Sequence, residues 1–432
     1  DPEDSSEEVT AAVCLESELQ DGQMMEVEVG HHTVLLARCQ GKYSAIGNQC
    51  THYGAPLSKG VISGNRVRCP WHGACFNVHT GDLEEYPGMD CLPSHKVKIQ
   101  NSKVYVSINK KCLMFGRIIM VTRDDLLPYD KTRLSKVMNV ESDSILLRRM
   151  EFFHQYDIEV WLRKEAKSVD TDKKTVTFDD GSVQSYDQLL ISTGCRAKGL
   201  DVPGMNLGNV KMLETPEDAR QIHSVCLGCN VVLVGTSFVG MEVASYLIDK
   251  ALSITVIGSS EMPYQNTLGP EIGKVTMMML SEKNVRFYMN DNVTEVRGVD
   301  GKVKEVMLKS GKVLPADVLI VGIGKFLCCV SLLQYMRTNV PDVFCGGDLA
   351  TFPLAMAKNQ LVNIGHWQMA QAHGRIVALN MLNKQTELNS VPFYWTVLVG
   401  KTIRYAGYGE GYTEIVMKGT FEDSKFLALY IK

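Results

Sequence analysis

Two short loops constrain this chain more than any other feature. The first reads Cys50-Thr51-His52-Tyr53-Gly54-Ala55-Pro56-Leu57 and the second Cys69-Pro70-Trp71-His72-Gly73-Ala74. A Cys-x-His is followed, about 16 residues on, by a Cys-x-x-His. Two thiolates and two imidazoles at this spacing suit a two-iron, two-sulfur centre, with Cys50 and Cys69 on one iron and His52 and His72 on the other. Thiolates favour ferric iron, and neutral imidazoles lower the negative charge of the cluster and ease its reduction. The same residue types also fit tetrahedral zinc. Zinc fingers, however, place two cysteines in one short stretch and two histidines in another, whereas each loop here carries one of each. Gly54, Pro56 and Gly73, with apolar Leu57 and Trp71, fit two tight loops that close on a cluster from opposite sides.

Short alternating runs surround these loops. Met25–Val29, Thr33–Ala37 and Lys42–Ile46 read as strands, broken at Gly30, Gly41 and Ser63-Gly64-Asn65. A last strand, Lys103–Ile108, ends at a linker, Asn109-Lys110-Lys111. Residues 13–108 therefore read as a small all-β module around the cluster, and the acidic residues 1–12 as a disordered tail. The module resembles the Rieske family, with both motifs complete. High-potential members carry an extra cysteine in each loop, joined as a disulfide. Ala55 and Trp71 stand in this sequence instead, and Cys75 has no partner in the first loop. The resemblance is to Rieske ferredoxins that serve reductases, at the low end of a range reaching roughly −150 mV.

At 432 residues the chain is too long for one ordinary domain. A net charge of −4 with no basic cluster argues against nucleic acid and anionic membrane as partners. No apolar run reaches about 18 residues, so no membrane span is expected. The sequence begins at Asp1 rather than Met and reads as a processed or truncated piece. Its 13 cysteines are odd in number and scattered, which favours an intracellular, reducing compartment over a disulfide scaffold. Cys226-Leu227-Gly228-Cys229 has redox-pair spacing but precedes a strand instead of opening a helix, so it reads as chance. Cys328-Cys329 and Met277-Met278-Met279 read as packing.

Beyond the linker the texture becomes α/β. Val231–Val234 reads as a buried strand, Gly235-Thr236-Ser237-Phe238-Val239-Gly240 as a turn, Met241–Lys250 as a helix and Ser253–Ile257 as a second strand. This is a dinucleotide-binding βαβ unit. Gly235 allows the tight turn, Gly240 lets helix pack on strand, and Ser237 replaces the middle glycine. The helix N-terminus would hold the phosphates of NAD(H) or NADP(H). Gly258-Ser259-Ser260 stands where an acidic ribose-binding residue is usual, so the two cofactors are not distinguished. Three further strands end in glycine-containing turns: Tyr186–Ile191 before Thr193-Gly194, Asp317–Val321 before Gly322, and Asp342–Cys345 before Gly347-Asp348. Ligands of α/β sheets bind at such strand ends. Asp348 would hold a ribityl hydroxyl or a pyrophosphate-bound water.

In this order the pieces resemble the flavin-dependent pyridine-nucleotide reductases of the ferredoxin-reductase and apoptosis-inducing-factor type. Pro128–Lys136 is similar to the segment whose arginine and lysine, here Arg133 and Lys136, lie near the flavin. Gly240-Met241-Glu242 is similar to the family's Gly-x-Glu, with Glu242 facing the nicotinamide. His366-Trp367 lies where the family places an aromatic group by the isoalloxazine, and Val391–Thr396 opens its C-terminal domain. With the cluster module in front, residues 13–432 resemble the Rieske-bearing, mitochondria-associated branch of the apoptosis-inducing-factor family. The resemblance implies a multidomain chain. The all-β Rieske module leads into an α/β reductase with two dinucleotide folds for FAD and NAD(P), closed by a small α+β C-terminal domain. The expected boundaries are 109–210 for the first FAD part, 211–316 for NAD(P), 317–390 for the second FAD part and 391–432 for the C-terminal domain.

The first of the two dinucleotide folds is interrupted. Cys112-Leu113-Met114-Phe115 runs straight into Gly116–Val121, which reads as that fold's second strand, so a strand, Gly-rich turn and helix of about 30 residues are missing. Lys325–Pro341 is also shorter than the family's segment, and the C-terminal domain stops at Lys432. A splice form, an incomplete gene model and a decayed copy all fit these gaps.

The function implied is electron transfer from NAD(P)H through FAD to the cluster and on to an unknown acceptor, in a chain compatible with a homodimer. Glu242 would orient the nicotinamide, Lys136 would polarise the flavin, and His52 and His72 would face the flavin or an outside acceptor. The rival is a non-enzymatic, cofactor-poor interaction protein acting in cell death. A Rieske oxygenase would need a 2-His-1-carboxylate iron site; His366 and His373 lie seven apart with no Asp-x-x-His before them.

Overall fold

The computed structural model describes residues 8–30, 32–52, 54–85, 88, 90–109, 117–326, 330–420 and 425–432. Tyr53, the linker lysines Lys110 and Lys111, the run Cys112–Gly116 and the pair Cys328-Cys329 lie outside the described residues. The chain divides into two compact units, Asp1–Ile118 and Ile119–Lys432.

The first unit is built on a six-stranded antiparallel sheet. Its order is Glu8–Leu15, Lys103–Asn109, Ser94–Gln100, Lys42–Gly47, His32–Cys39, Gln23–Val29. A second antiparallel sheet contains Val61–Ser63, Arg66–Arg68, Cys75–Asn77 and Leu83–Glu85. Successive side chains of a strand point to opposite faces, and both faces of His32–Cys39 are apolar. Val34 and Leu36 enter a core with Val27, Val29, Val104 and Val106. Leu35, Ala37 and Cys39 enter another with Ile46, Leu57, Val67 and Phe76, and this second core also contains Cys50 and Cys69. The tail is shorter than the expected residues 1–12. Glu8–Leu15 pairs with Lys103–Asn109, and Val9, Ala11 and Val13 pack against the first core. Apolar alternation outweighs the polar composition there.

The second unit centres on a five-stranded parallel sheet in the order Val210–Lys211, Val318–Val321, Asn230–Val234, Ser253–Ile257, Arg286–Tyr288. Its middle strands are near-continuous apolar runs and are buried, as expected for a sheet covered on both faces. Val318–Val321, expected in the returning flavin half, belongs to this sheet instead. It lies against Asn230–Val234, where Gly322 N–H donates to the Val234 carbonyl at 2.7 Å. The helix expected from Met241 begins three residues earlier, as Phe238–Leu247 with Ser237 at its N-cap. Close backbone contact fixes its glycines. A Cβ on Gly240 would lie 1.9 Å from the Gly235 carbonyl oxygen, and one on Gly235 (φ +119°) 2.2 Å from that of Gly322.

One expectation fails in part and one fails, both for physical reasons. Met279 packs against the core, but Met278 is 43% exposed, and the buried positions of Gly269–Ser281 include Ile272, Val275 and Leu280. Consecutive helical residues are rotated by about 100° and cannot all face one core. Leu189–Ile191, expected as a buried strand, is not buried, and Leu190 is 37% exposed. Its sheet partner is Val343–Cys345 alone, and that of Ile118–Val121 is Ile158–Trp161 alone, so these two strands lie in separate two-stranded sheets. The C-terminal residues form two antiparallel hairpins, Phe393–Leu398 with Lys401–Ala406 and Glu414–Thr420 with Lys425–Ile431. Among the described residues no helix is long and apolar enough to cross a membrane.

The glycine contacts generate a contrast measurable by urea denaturation. Gly240→Ala should destabilise the second unit by about 3 kcal/mol or more, since no side chain can yield to the new methyl group. Gly374→Ala lies in the Trp367–Met381 helix with open space around its Cβ, and should stabilise by about 0.5–1 kcal/mol.

Candidate functional sites

The two Cys–His loops of the first unit share one hydrogen-bond pattern. Cys50 N–H donates to the Ala55 carbonyl at 2.8 Å and Gly54 N–H to the Cys50 carbonyl at 2.8 Å. Cys69 N–H donates to the Ala74 carbonyl at 2.8 Å and Gly73 N–H to the Cys69 carbonyl at 3.2 Å. Gly54 and Gly73 sit at φ +74° and +78°, the left-handed conformation these turns require. Both cysteines are buried, at 2% and 4% exposure, whereas His52 is half-buried and His72 exposed. The imidazoles meet edge to face with ring centroids 4.8 Å apart. Side chains brace both loops from outside: Thr51 Oγ1 donates to the Asp90 carbonyl at 2.8 Å, and Arg68 Nη1 to the Gly73 carbonyl at 2.9 Å. Among the described residues no three His, Cys, Asp or Glu side chains close on one ion-sized position. The donors form two Cys–His pairs, and this set could hold a [2Fe–2S] cluster with thiolates on its buried side and imidazoles on its solvent side.

In the second unit, the Gly235-Thr236-Ser237 turn carries the chain from the Asn230–Val234 strand into the Phe238–Leu247 helix. Gly235, Gly240 and Gly322 come together there, and the helix N-terminus is open to a dinucleotide phosphate. Glu242 lies in the following turn at 4% exposure. It accepts hydrogen bonds from Ser135 Oγ, from Lys136 Nζ at 2.9 Å and from Thr396 Oγ1 at 2.8 Å. Lys136 Nζ also donates to the Thr132 carbonyl at 3.0 Å. Tyr264, fully buried, lies 3.4 Å from the Thr396 hydroxyl; burial raises its phenol well above the usual range, against the Thr396 hydrogen bond and with a smaller contribution from the Glu242 charge. Lys136 and Glu242 thus meet, although the sequence assigns them to separate roles. Ser135, Thr396 and Tyr264 are partners that no sequence motif announces, although Ser135 and Thr396 lie inside the family-like segments.

On the flavin side, Leu189–Ile191 and Val343–Cys345 run parallel with Ile191 opposite Cys345. Thr193-Gly194 and Gly347-Asp348 therefore emerge side by side at the C-terminal ends of two strands. Gly194 and Gly347 have φ +68° and +80°. Arg133 ends a short helix before the Ser135-Lys136 pair and is half-buried. Trp367 opens the Trp367–Met381 helix and is half-exposed, while the neighbouring His366 ring packs on Tyr394 and Trp395 at 5.6 and 5.1 Å. These residues could hold the isoalloxazine and ribityl end of FAD. The pyrophosphate end does not: only residues 110–117 separate the Lys103–Asn109 and Ile118–Val121 strands, too few for a strand, Gly-rich turn and helix.

In the sequence His373 stands out only as a candidate iron ligand. Its imidazole is fully buried, accepts the Gly347 N–H on Nδ1 at 3.1 Å and packs edge-on against Phe352 at 4.5 Å. Cys226 closes the Pro216–Cys226 helix, and burial, with Cys229 beside it, pushes its thiol up to about 12.

This arrangement is that of a pyridine-nucleotide-dependent flavin oxidoreductase joined to a Rieske module. Residues 107–326 match the pyridine nucleotide-disulphide oxidoreductase family and residues 9–96 the Rieske [2Fe-2S] domain. Apoptosis-inducing factor 3 of Homo sapiens is 42% identical, covering 98% of this chain and 80% of that one. Their alignment runs over 484 residues, so the human chain carries internal positions with no counterpart among these 432. Rhodocoxin reductase of Rhodococcus erythropolis is 28% identical over 72% of the chain and 77% of its own length. The crystal structure of a ferredoxin reductase from Rhodopseudomonas palustris superimposes with TM-score 0.70 over 73% of this chain and 82% of its own, at 24% identity. The chain belongs to the apoptosis-inducing factor 3 family, whose domains bring [2Fe–2S], FAD and NAD(H) as cofactors.

His373 makes stability depend on pH. Burial holds its pKa down to about 4, against an opposing contribution from the Asp348 carboxylate. The unfolded chain therefore takes up a proton near pH 6.5 that the folded chain refuses until about pH 4. Stability from this group is complete above pH 6.5 and falls by on the order of 3 kcal/mol as pH drops to about 4. His373→Asn keeps an acceptor for Gly347 but does not titrate. Urea midpoints measured from pH 7 to 4.5 should show the wild type losing ground to this variant. A constant difference would contradict the assignment.

Proposed function

We propose that this chain draws electrons from NAD(P)H and delivers them, with flavin as intermediary, to a [2Fe–2S] cluster held by Cys50, Cys69, His52 and His72. The observation that carries the reading is one chain with two matching Cys–His loops and a dinucleotide cradle whose helix holds a buried, lysine-paired carboxylate. Bound flavin supplies the conversion between two-electron and one-electron chemistry.

The residues divide the remaining work. The backbone at Thr236 and Ser237 receives the dinucleotide phosphates, and Gly235, Gly240 and Gly322 leave room for that approach. Glu242 orients the nicotinamide, and Ser135 and Thr396 keep its carboxylate in place. Lys136, held by Glu242 and the Thr132 carbonyl, sets a positive charge toward the flavin. Arg133, Thr193, Gly194, Gly347, Asp348 and Trp367 hold the isoalloxazine and ribityl end. His52 and His72 would hold the cluster on its solvent side, the side from which an outside acceptor could be reached. No general acid, base or nucleophile is required. The relatives' name extends the reading to cell death, and the family resemblance to mitochondria.

One observation favours a second reading, an interaction protein with an intact cluster and no electron entry: Ile118–Val121 and Leu189–Ile191 lie in separate two-stranded sheets. Anaerobic NADH separates the two. Added to the full chain with its cluster reconstituted and FAD supplied, NADH should bleach the cluster's visible absorption. Persistent colour, with iron and flavin both bound, would leave the interaction reading.

A further inference from the structure

The two dinucleotide sites of this chain are unequally built. The NAD side has its strand, Gly-rich turn and helix, packed so closely that a methyl group on Gly240 would meet a backbone oxygen at 1.9 Å. The flavin side has strand ends without a cradle. Ile118–Val121 and Leu189–Ile191 consist wholly of Ile, Leu, Met and Val, the composition of strands covered on both faces. Yet neither strand contains a buried residue, and Ile118 and Leu190 are 43% and 37% exposed. Each lies in its own two-stranded sheet. The eight residues between Asn109 and Ile118 cannot supply the intervening strand and helix. In doubly wound folds that missing turn and helix N-terminus grip the pyrophosphate.

We infer that this chain recognises only the isoalloxazine and ribityl end of a flavin. Its site then takes FAD, FMN and riboflavin alike, as exchangeable ligands. The inference rests on the reading of Thr193, Gly194, Gly347 and Asp348 as flavin-facing. Those residues sit at the C-terminal ends of paired parallel strands, where Gly346 N–H donates to the Ile191 carbonyl at 3.1 Å and Gly347 is anchored to His373. They form a small contact set for the tricyclic ring and its polyol. The adenosine half of FAD meets no equivalent of the NAD turn, so it adds bulk without adding recognition. A ligand that loses its pyrophosphate contacts loses its grip and its discrimination together.

The test uses the full chain freed of flavin and titrated separately with FAD, FMN and riboflavin, following quenching of flavin fluorescence. Affinities for the three should agree within about fivefold, and all three should be lost on gel filtration. Asp348→Asn should weaken all three by a similar factor. FAD retained at one per chain, with riboflavin and FMN at least about 100-fold weaker, would overturn the inference while leaving the flavin reading intact. Failure of all three to bind, or binding that ignores Asp348→Asn, would overturn the inference and the flavin reading together.

Discussion

The buried carboxylate of Glu242 is the interaction on which the second unit's site depends. An ionised carboxylate taken out of water costs several kcal/mol unless it is paired and hydrogen-bonded. Glu242 meets that requirement with Ser135, Lys136 and Thr396, which lie 107, 106 and 154 residues away in sequence. Satisfying one charge therefore pins the segment before it, the helix that bears it and the first C-terminal hairpin. Tyr264 and Phe238 extend the contact, with Phe238 edge-on to Tyr264 and Tyr394 at 5.1 and 5.4 Å. The same helix opens at the glycine turn of the dinucleotide cradle, so one element carries the phosphate end and the charged end of the nucleotide site.

The parts of this molecule that are legible in its sequence are those built from local backbone. The Cys50 and Cys69 loops each close within six residues through paired backbone bonds, so spacing alone reports them. The Gly235–Gly240 turn is equally local, and its strands are apolar runs that could only be buried. Ser135, Thr396 and Tyr264 are not legible as a group, because only tertiary packing brings them to Glu242. The helix start at Phe238 is hidden because apolar Phe238 and Val239 continue the turn without a break in pattern. Val318–Val321 joins a different sheet from the one expected, because a buried parallel strand carries no mark of its neighbour. The composition of Leu189–Ile191 calls for burial, yet the strand stands half-exposed with Val343–Cys345 as its one sheet partner.

The three cofactor sites differ in what supports them. The cluster loops are complete and rest on a core of their own, shared with Leu35, Leu57 and Phe76. The nucleotide cradle is complete and rests on a five-stranded sheet. The proposed flavin residues lie at strand ends, and Ile118–Val121 and Leu189–Ile191 lie in separate two-stranded sheets. Family membership supplies the expectation of FAD. On the proposed reading, the electron chemistry would rest on Glu242, Lys136 and the two Cys–His loops.

The most direct measurement is the rate of flavin reduction by NADH in Glu242→Gln, with iron content and flavin affinity measured on the same protein. If Glu242 orients the nicotinamide, the rate falls by about 100-fold or more, close to 2.7 kcal/mol of barrier, with stoichiometric iron and unchanged flavin affinity. A variant that reduces flavin as fast as the wild type would contradict that role, since the buried carboxylate would then be a structural tie and nothing more.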